Sequence, residues 1–159
     1  MKRGGRIIRS LGRPALTLAL TLALTIALLS QAGCLLYRLS QVRDMPISEV
    51  DLATIPDGAY RGEYDYEVTW VGVEVTVADH QIKKIVVHKS YENSYGRRGE
   101  TIAGEVVRRQ KVDLGVDAVS GASTTGKAVL KAVENALLRP EARFTRDPGD
   151  FETTRTYAE

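Results

Sequence analysis

The chain has 159 residues, 43% hydrophobic and 26% charged, which is enough for one globular domain with an appendage and little more. Its formal net charge of +2 comes from the N-terminus, where Lys2, Arg3, Arg6, Arg9 and Arg13 meet no acid within the first 37 residues. The remainder is mildly acidic, so the sequence pI of about 8.7 gives no case for nucleic-acid binding.

Residues 1–13 read as a basic cytoplasmic N-terminus. No charged side chain occurs between Pro14 and Tyr37. The run Ala15–Leu29, continued by Ser30–Tyr37, reaches the ~20 residues a membrane-spanning helix needs. Its threonines can return their hydroxyls to the helix backbone and so are tolerated in lipid. Basic residues before the run and an acidic region after it predict the N-terminus inside and the domain outside. Three readings remain open. An uncleaved signal anchor over 14–37, single-pass in the cytoplasmic (inner) membrane, fits the length. A cleaved secretory signal would have a shorter apolar core, of ~7–15 residues. A lipoprotein signal would place the lipid on Cys34, although Gln31 stands where a leucine-like residue is usual. All three put the domain on the extracytoplasmic side. Cys34 is the sole cysteine, which excludes an intrachain disulfide.

Residues 38–56 mix charges with prolines and read as a linker. Asp57-Gly58 signals a turn, and Ala59–Tyr66 alternates aromatic and polar residues as a strand does. Val68–Val77 is rich in β-branched residues, Ala78–Gln81 turns the chain, and Ile82–His88 returns as a second strand. Ser90–Gly99 reads as a polar loop. In Thr101–Lys111 the spacing of Ile102, Val106 and Val107 predicts a short amphipathic helix, and Val112–Val119 reads as extended. Ala128, Val129, Ala132, Val133, Ala136 and Leu137 form one stripe of a helix over Thr125–Leu138, which Pro140 ends. Residues 141–159 read as a polar C-terminal tail. The expected fold is α+β: an antiparallel β-sheet with packed α-helices over 57–140, preceded by one N-terminal transmembrane helix.

The residues that carry chemistry gather in Asp117–Lys127, an extended segment entering a helix. Gly121 and Ala122 let backbone come close to a ligand. Ser120, Ser123, Thr124 and Thr125 bring hydroxyls to a helix start, where backbone N–H groups lack partners and favour an anion such as phosphate. Lys127 adds a positive charge one turn on. A capped surface helix, its hydroxyls serving only backbone donors, explains the same residues. Gly121–Lys127 also has the spacing of a nucleotide-binding P-loop, but Ala128 stands where the magnesium-binding hydroxyl belongs. A serine hydrolase lacks both the Gly-x-Ser-x-Gly elbow and an evident base, since His80 and His88 both lie near the hairpin.

Residues 57–138 resemble the FMN-binding domain family, as in the C subunit of sodium-pumping NADH:quinone reductase and the G subunit of Rnf complexes. The resemblance runs from Asp57-Gly-Ala-Tyr-Arg-Gly62 through the hairpin with Ile82–Val86. It ends in Val116-Asp-Ala-Val-Ser-Gly-Ala-Ser-Thr-Thr125 and the helix after it. The last piece is the specific one, similar to the family signature D-x-x-[ST]-G-A-[TS], in which the final hydroxyl carries FMN through a phosphoester bond. The resemblance implies Asp117 as the acid read by a magnesium-dependent flavin transferase that uses FAD as donor. It implies Ser120-Gly121-Ala122 as the close approach and Ser123 as the acceptor, with serine in place of the commoner threonine. Thr124 and Thr125 are neighbouring alternatives, and tight noncovalent binding is another.

For the flavin ring, Tyr64, Tyr66, Trp70, Tyr91 and Tyr95 are candidate walls, and His88, Arg97 and Arg98 candidate neighbours, although strand aromatics more often serve a core. The implied function is electron transfer, as a carrier or as a subunit of a membrane redox complex rather than a stand-alone enzyme, with redox proteins as partners. A non-redox sensory or interaction module on the same fold is the alternative.

Overall fold

The computed structural model describes residues 12–66, 69–89, 94–114 and 123–159. Contacts divide the chain into two units, one ending at Leu39 and the other spanning Ser40–Glu159. The helix α1 (Gly12–Arg43) is continuous, its residues up to Leu39 belonging to the first unit, and its apolar side chains from Leu18 to Leu29 are exposed. Thr21 and Thr25 donate their hydroxyls to the carbonyls of Leu18 and Leu22, as the sequence predicts, and Ser30 does the same to Ala27. Among the described residues no helix is long and apolar enough to cross a membrane. The Cys34 side chain lies outside the described residues.

In the second unit, β1 (Gly58–Tyr66), β2 (Thr69–Ala78), β3 (Gln81–Lys89) and β4 (Thr153–Ala158) form one antiparallel sheet in that order. Asp79 and His80 turn the β2–β3 hairpin with φ of 53° and 58°, the left-handed pair that matches the twist of the flanking strands. The register slips between Thr76 and Val77. There the side chain of Gln110 clamps the start of β3, accepting from the Ile82 amide at 2.7 Å and donating to the Ile82 carbonyl at 2.9 Å.

Side chains alternate across the sheet, which fixes its two faces. One carries Tyr60, Tyr64, Val71, Val73, Val75, Val77, Ile82, Ile85 and Val87, paired across strands. It meets α3 (Ile102–Arg109) and α4 (Ser123–Leu138), whose apolar stripes complete the core. The buried Ile102, Ala103, Val106 and Val107 of α3 include the three positions its spacing predicted. α4 reaches β1 at Gly62. A Cβ there would stand 2.3 Å from the Ala132 carbonyl oxygen and the Ala136 nitrogen, so helix backbone rests directly on strand backbone. Asn135 adds a bond from Nδ2 to the Glu63 carbonyl at 2.9 Å.

Three segments differ from the sequence expectation. Residues 42–55, expected within a linker, put Val42, Ile47, Val50 and Ile55 into the core. Their backbone is tied to α4, with the Ser48 amide donating to Glu134 at 3.2 Å. Ser94–Glu100, most of it expected as loop, is a helix, α2, packed on α4 where the Gly99 carbonyl faces Gly126. The tail supplies β4, whose half-buried Thr153, Arg155 and Tyr157 alternate with exposed Thr154, Thr156 and Ala158. Polar strand residues give no apolar alternation to read, yet they pair with β3 from Lys84 to Lys89.

The α4–β1 contact yields the first prediction. Gly62→Ala should destabilise the fold by about 1–3 kcal/mol through overpacking against immovable backbone. Urea denaturation should show it as a lowered midpoint. Gly149→Ala, where an added Cβ meets nothing within 4 Å, should leave the midpoint unchanged.

Candidate functional site

The helix that carries the candidate site starts two residues earlier than its apolar stripe suggests, at Ser123. Ser123 is thus the first helical residue, with its side chain outside the described set, and Thr124 and Thr125 are half-buried in the first turn. No acid stands in that turn. The leading N–H groups of a helix lack partners within it and present a partial positive charge. Asp117, Ser120, Gly121 and Ala122 lie outside the described residues, as do the extended reading of 115–119 and Tyr91.

The start of α4 is held by its neighbours. Gly126 is buried, and a Cβ on it would lie 3.7 Å from the Gly99 carbonyl of α2 and from the Ile102 side chain of α3. Lys127, expected to support a phosphate, donates from Nζ to the Met45 carbonyl at 3.0 Å. Its ammonium therefore braces residue 45 against α4.

Beside α2 lies the most strongly buried charge cluster among the described residues. Lys89 of β3 and Glu100 of α2, each about 1% exposed, form an ion pair, and Arg155 of β4 reaches the second oxygen of Glu100 at 3.1 Å. One carboxylate thus joins β3, α2 and β4. Removing one member of such a set leaves a charge without compensation in a dry place. Sequence reading passed over all three residues, since a lone charge at a strand end or in a polar loop looks solvated. Arg97 and Arg98, named as possible ring neighbours, are exposed on α2.

Trp70 and His88 sit on the opposite face of the sheet from α4. Trp70 is fully buried there and stacks on Phe151, with ring centroids 4.9 Å apart and planes at 15°. Its Nε1 donates to Glu63 Oε2 at 2.9 Å, and the same oxygen accepts from the Thr145 amide at 2.9 Å, which fastens the 140–151 segment over the sheet. Gly72 leaves the space that Trp70 fills: a Cβ would stand 2.3 Å from the indole. Trp70 accordingly serves packing on the far face. Tyr64 is half-buried against the core, and the side chains of Tyr66 and Tyr95 lie outside the described set.

His88 is 9% exposed, with Nδ1 2.9 Å from Thr154 Oγ1, and Nε2 has no hydrogen-bond partner among the described residues. Burial holds its pKa below the ordinary 6.5; the carboxylate of Glu74 opposes that shift and the charge of Arg61 adds to it.

Residues 69–138 match the family model of the FMN-binding domain, a span that opens with β2 and closes with the end of α4. The resemblance in the sequence starts earlier, at Asp57. No curated protein and no solved structure matches the chain.

Two predictions follow from the buried charges. Glu100→Gln should cost about 3–5 kcal/mol, because Lys89 stays buried without its counter-charge; chemical denaturation measures the loss. For His88 the folded pKa is the lower one, so the unfolded chain takes up the proton first as pH falls. Its stabilising contribution is present above a pH of about 6.5 and is lost as pH drops from there toward the folded value. Melting temperature should fall between about pH 7.5 and about pH 5.5, and His88→Phe should reduce that fall.

Proposed function

From the match of residues 69–138 to the family model of the FMN-binding domain, we propose that the chain belongs to that family and is an electron-transfer flavoprotein anchored in the cytoplasmic membrane. It carries FMN on the extracytoplasmic side through a phosphoester to Ser123. The family match supports flavin binding and FMN as the cofactor. The observation that carries the finer reading is that α4 begins at Ser123, the acceptor position of the signature Asp117-Ala-Val-Ser-Gly-Ala-Ser123.

The residues present fit the phosphate end of the group. A phosphodiester keeps one negative charge and accepts hydrogen bonds, and the first turn of α4 offers N–H donors with no acid to oppose the anion. Thr124 and Thr125 add half-buried hydroxyls in that turn. When bound, FMN supplies the redox chemistry; the chain holds it, sets its surroundings and presents it to partners. A flavin transferase is needed for maturation, and redox proteins or a membrane electron-transfer complex are the partners.

Support for the anchor comes from α1. Apolar side chains from Leu18 to Leu29 are exposed all round the helix, with hydroxyls returned to the backbone. A helix apolar on every side suits lipid or a protein interior rather than water. Lys2, Arg3, Arg6, Arg9 and Arg13 precede it, which favours an inside N-terminus.

Made together with a flavin transferase, denatured and run on a gel, the wild-type band should keep yellow fluorescence. Ser123→Ala should lose more than ~95% of it, since a phosphoester needs the hydroxyl oxygen. A colourless wild-type band would remove the covalent carrier, and fluorescence retained in Ser123→Ala would move the bond to another residue.

A further inference from the structure

The face of the sheet turned away from α4 holds a cavity of about 360 Å³, between the strands and the 143–151 segment. Its volume lies near the lower end of the ~300–1,000 Å³ typical of ligand pockets, which suits a single-ring molecule better than a nucleotide. Phe151 and Phe144 provide aromatic walls. Phe151 stacks on His88 at 4.8 Å and 29°, and Phe144 meets His88 edge-on at 5.6 Å and 75°. Rings packed this way offer both a face and an edge to a further flat ring.

The polar groups around these rings are unequally committed. Arg61 is held by Glu74, Nε to Oε1 at 3.1 Å, and its guanidinium lies 5.7 Å from the centre of Phe144. Arg146 reaches Asp65 at 3.6 Å and also lies over Trp70. Arg143 makes neither a hydrogen bond nor an ion pair among the described residues, and it lines the same cavity. His88 lines it too, nine-tenths buried and with Nε2 unsatisfied. A buried polar atom without a partner costs free energy, and a ligand that satisfies it recovers that cost. In the tautomer where Thr154 donates to Nδ1, Nε2 carries the hydrogen and seeks an acceptor. An uncommitted cation lining the same cavity favours an acceptor with negative charge.

We propose that this cavity is a binding site for a small planar aromatic carboxylate, its ring against Phe144 and Phe151 and its carboxylate shared by Arg143 and His88 Nε2. It is separate from the flavin site, because the sheet stands between it and α4. The proposal does not depend on flavin attachment.

The test titrates the full chain with benzoate and follows the fluorescence of Trp70, the only tryptophan, whose ring stacks on Phe151. A saturable change is expected with a dissociation constant of about 1 mM, the scale expected of a ligand this small. Arg143→Ala, a surface change that keeps the fold, should weaken it at least ~10-fold. His88→Phe, which retains the aromatic stack, should do the same, and Lys111→Ala, outside the cavity, should change nothing. Cyclohexanecarboxylate, with equal charge and no flat ring, should bind at least ~5-fold more weakly. The same titration in Ser123→Ala should reproduce the wild-type curve, which separates this site from the flavin reading. No saturation by benzoate up to ~50 mM would overturn the proposal. An equal response to acetate or inorganic phosphate, or an unchanged constant in Arg143→Ala and His88→Phe, would do so as well.

Discussion

The position of α4 depends on one absent side chain. Because Gly62 has no Cβ, the backbone of α4 at Ala132 and Ala136 lies on the backbone of β1. Alanines at 128, 132 and 136 give α4 a flat face for that approach, while Val129, Leu130, Val133 and Leu137 fill the space beside it. Polar ties then limit sliding and rotation: Asn135 to the Glu63 carbonyl, Glu134 to the Ser48 amide, and Lys127 to the Met45 carbonyl. A helix so constrained presents its first turn at a defined place, which any group held at Ser123 requires.

The sheet separates two environments. On the α4 face, β-branched strand residues meet helix stripes and produce a dry core, at whose edge the buried charges of Lys89 and Glu100 compensate each other and Arg155 closes on Glu100. On the other face, aromatic rings and charged groups pack under the 140–151 segment. Glu63 belongs to both layers. Its carbonyl receives Asn135 from α4, and its carboxylate receives Trp70 and Thr145 on the far side. Packing on the two faces is therefore connected through a single residue of β1.

Sequence periodicity made the hairpin, α3 and α4 visible because each has an apolar pattern with one period. β2 reads clearly because Val71, Val73, Val75 and Val77 all enter one core. The start of α4 was off by two residues because Ser123 and Thr124 precede its apolar stripe. α2 escaped notice because Ser94-Tyr-Gly-Arg-Arg-Gly-Glu100 buries glycines and a carboxylate, which carry no hydrophobic signal. β4 was hidden for a related reason, since its inward positions are Thr153, Arg155 and Tyr157. At the candidate site, the hydroxyl-rich helix start was legible from residue types alone. Choosing Ser123 among four hydroxyls took the family signature. The engagement of Lys127 by Met45 was not legible, because a bond to a distant carbonyl leaves no local pattern.

The pairing of β3 with β4 has a consequence for the order of assembly. β1, β2 and β3 are joined by short connections and can zip together early. β4 must return to β3 from beyond α2, α3 and α4, so its pairing carries the loop-closure cost of that whole intervening chain. Arg155 arrives with β4, so the Lys89–Glu100–Arg155 cluster is complete only once β4 has paired. Before that step β3 is an open edge, carrying the unpaired backbone groups through which two unfinished chains can join.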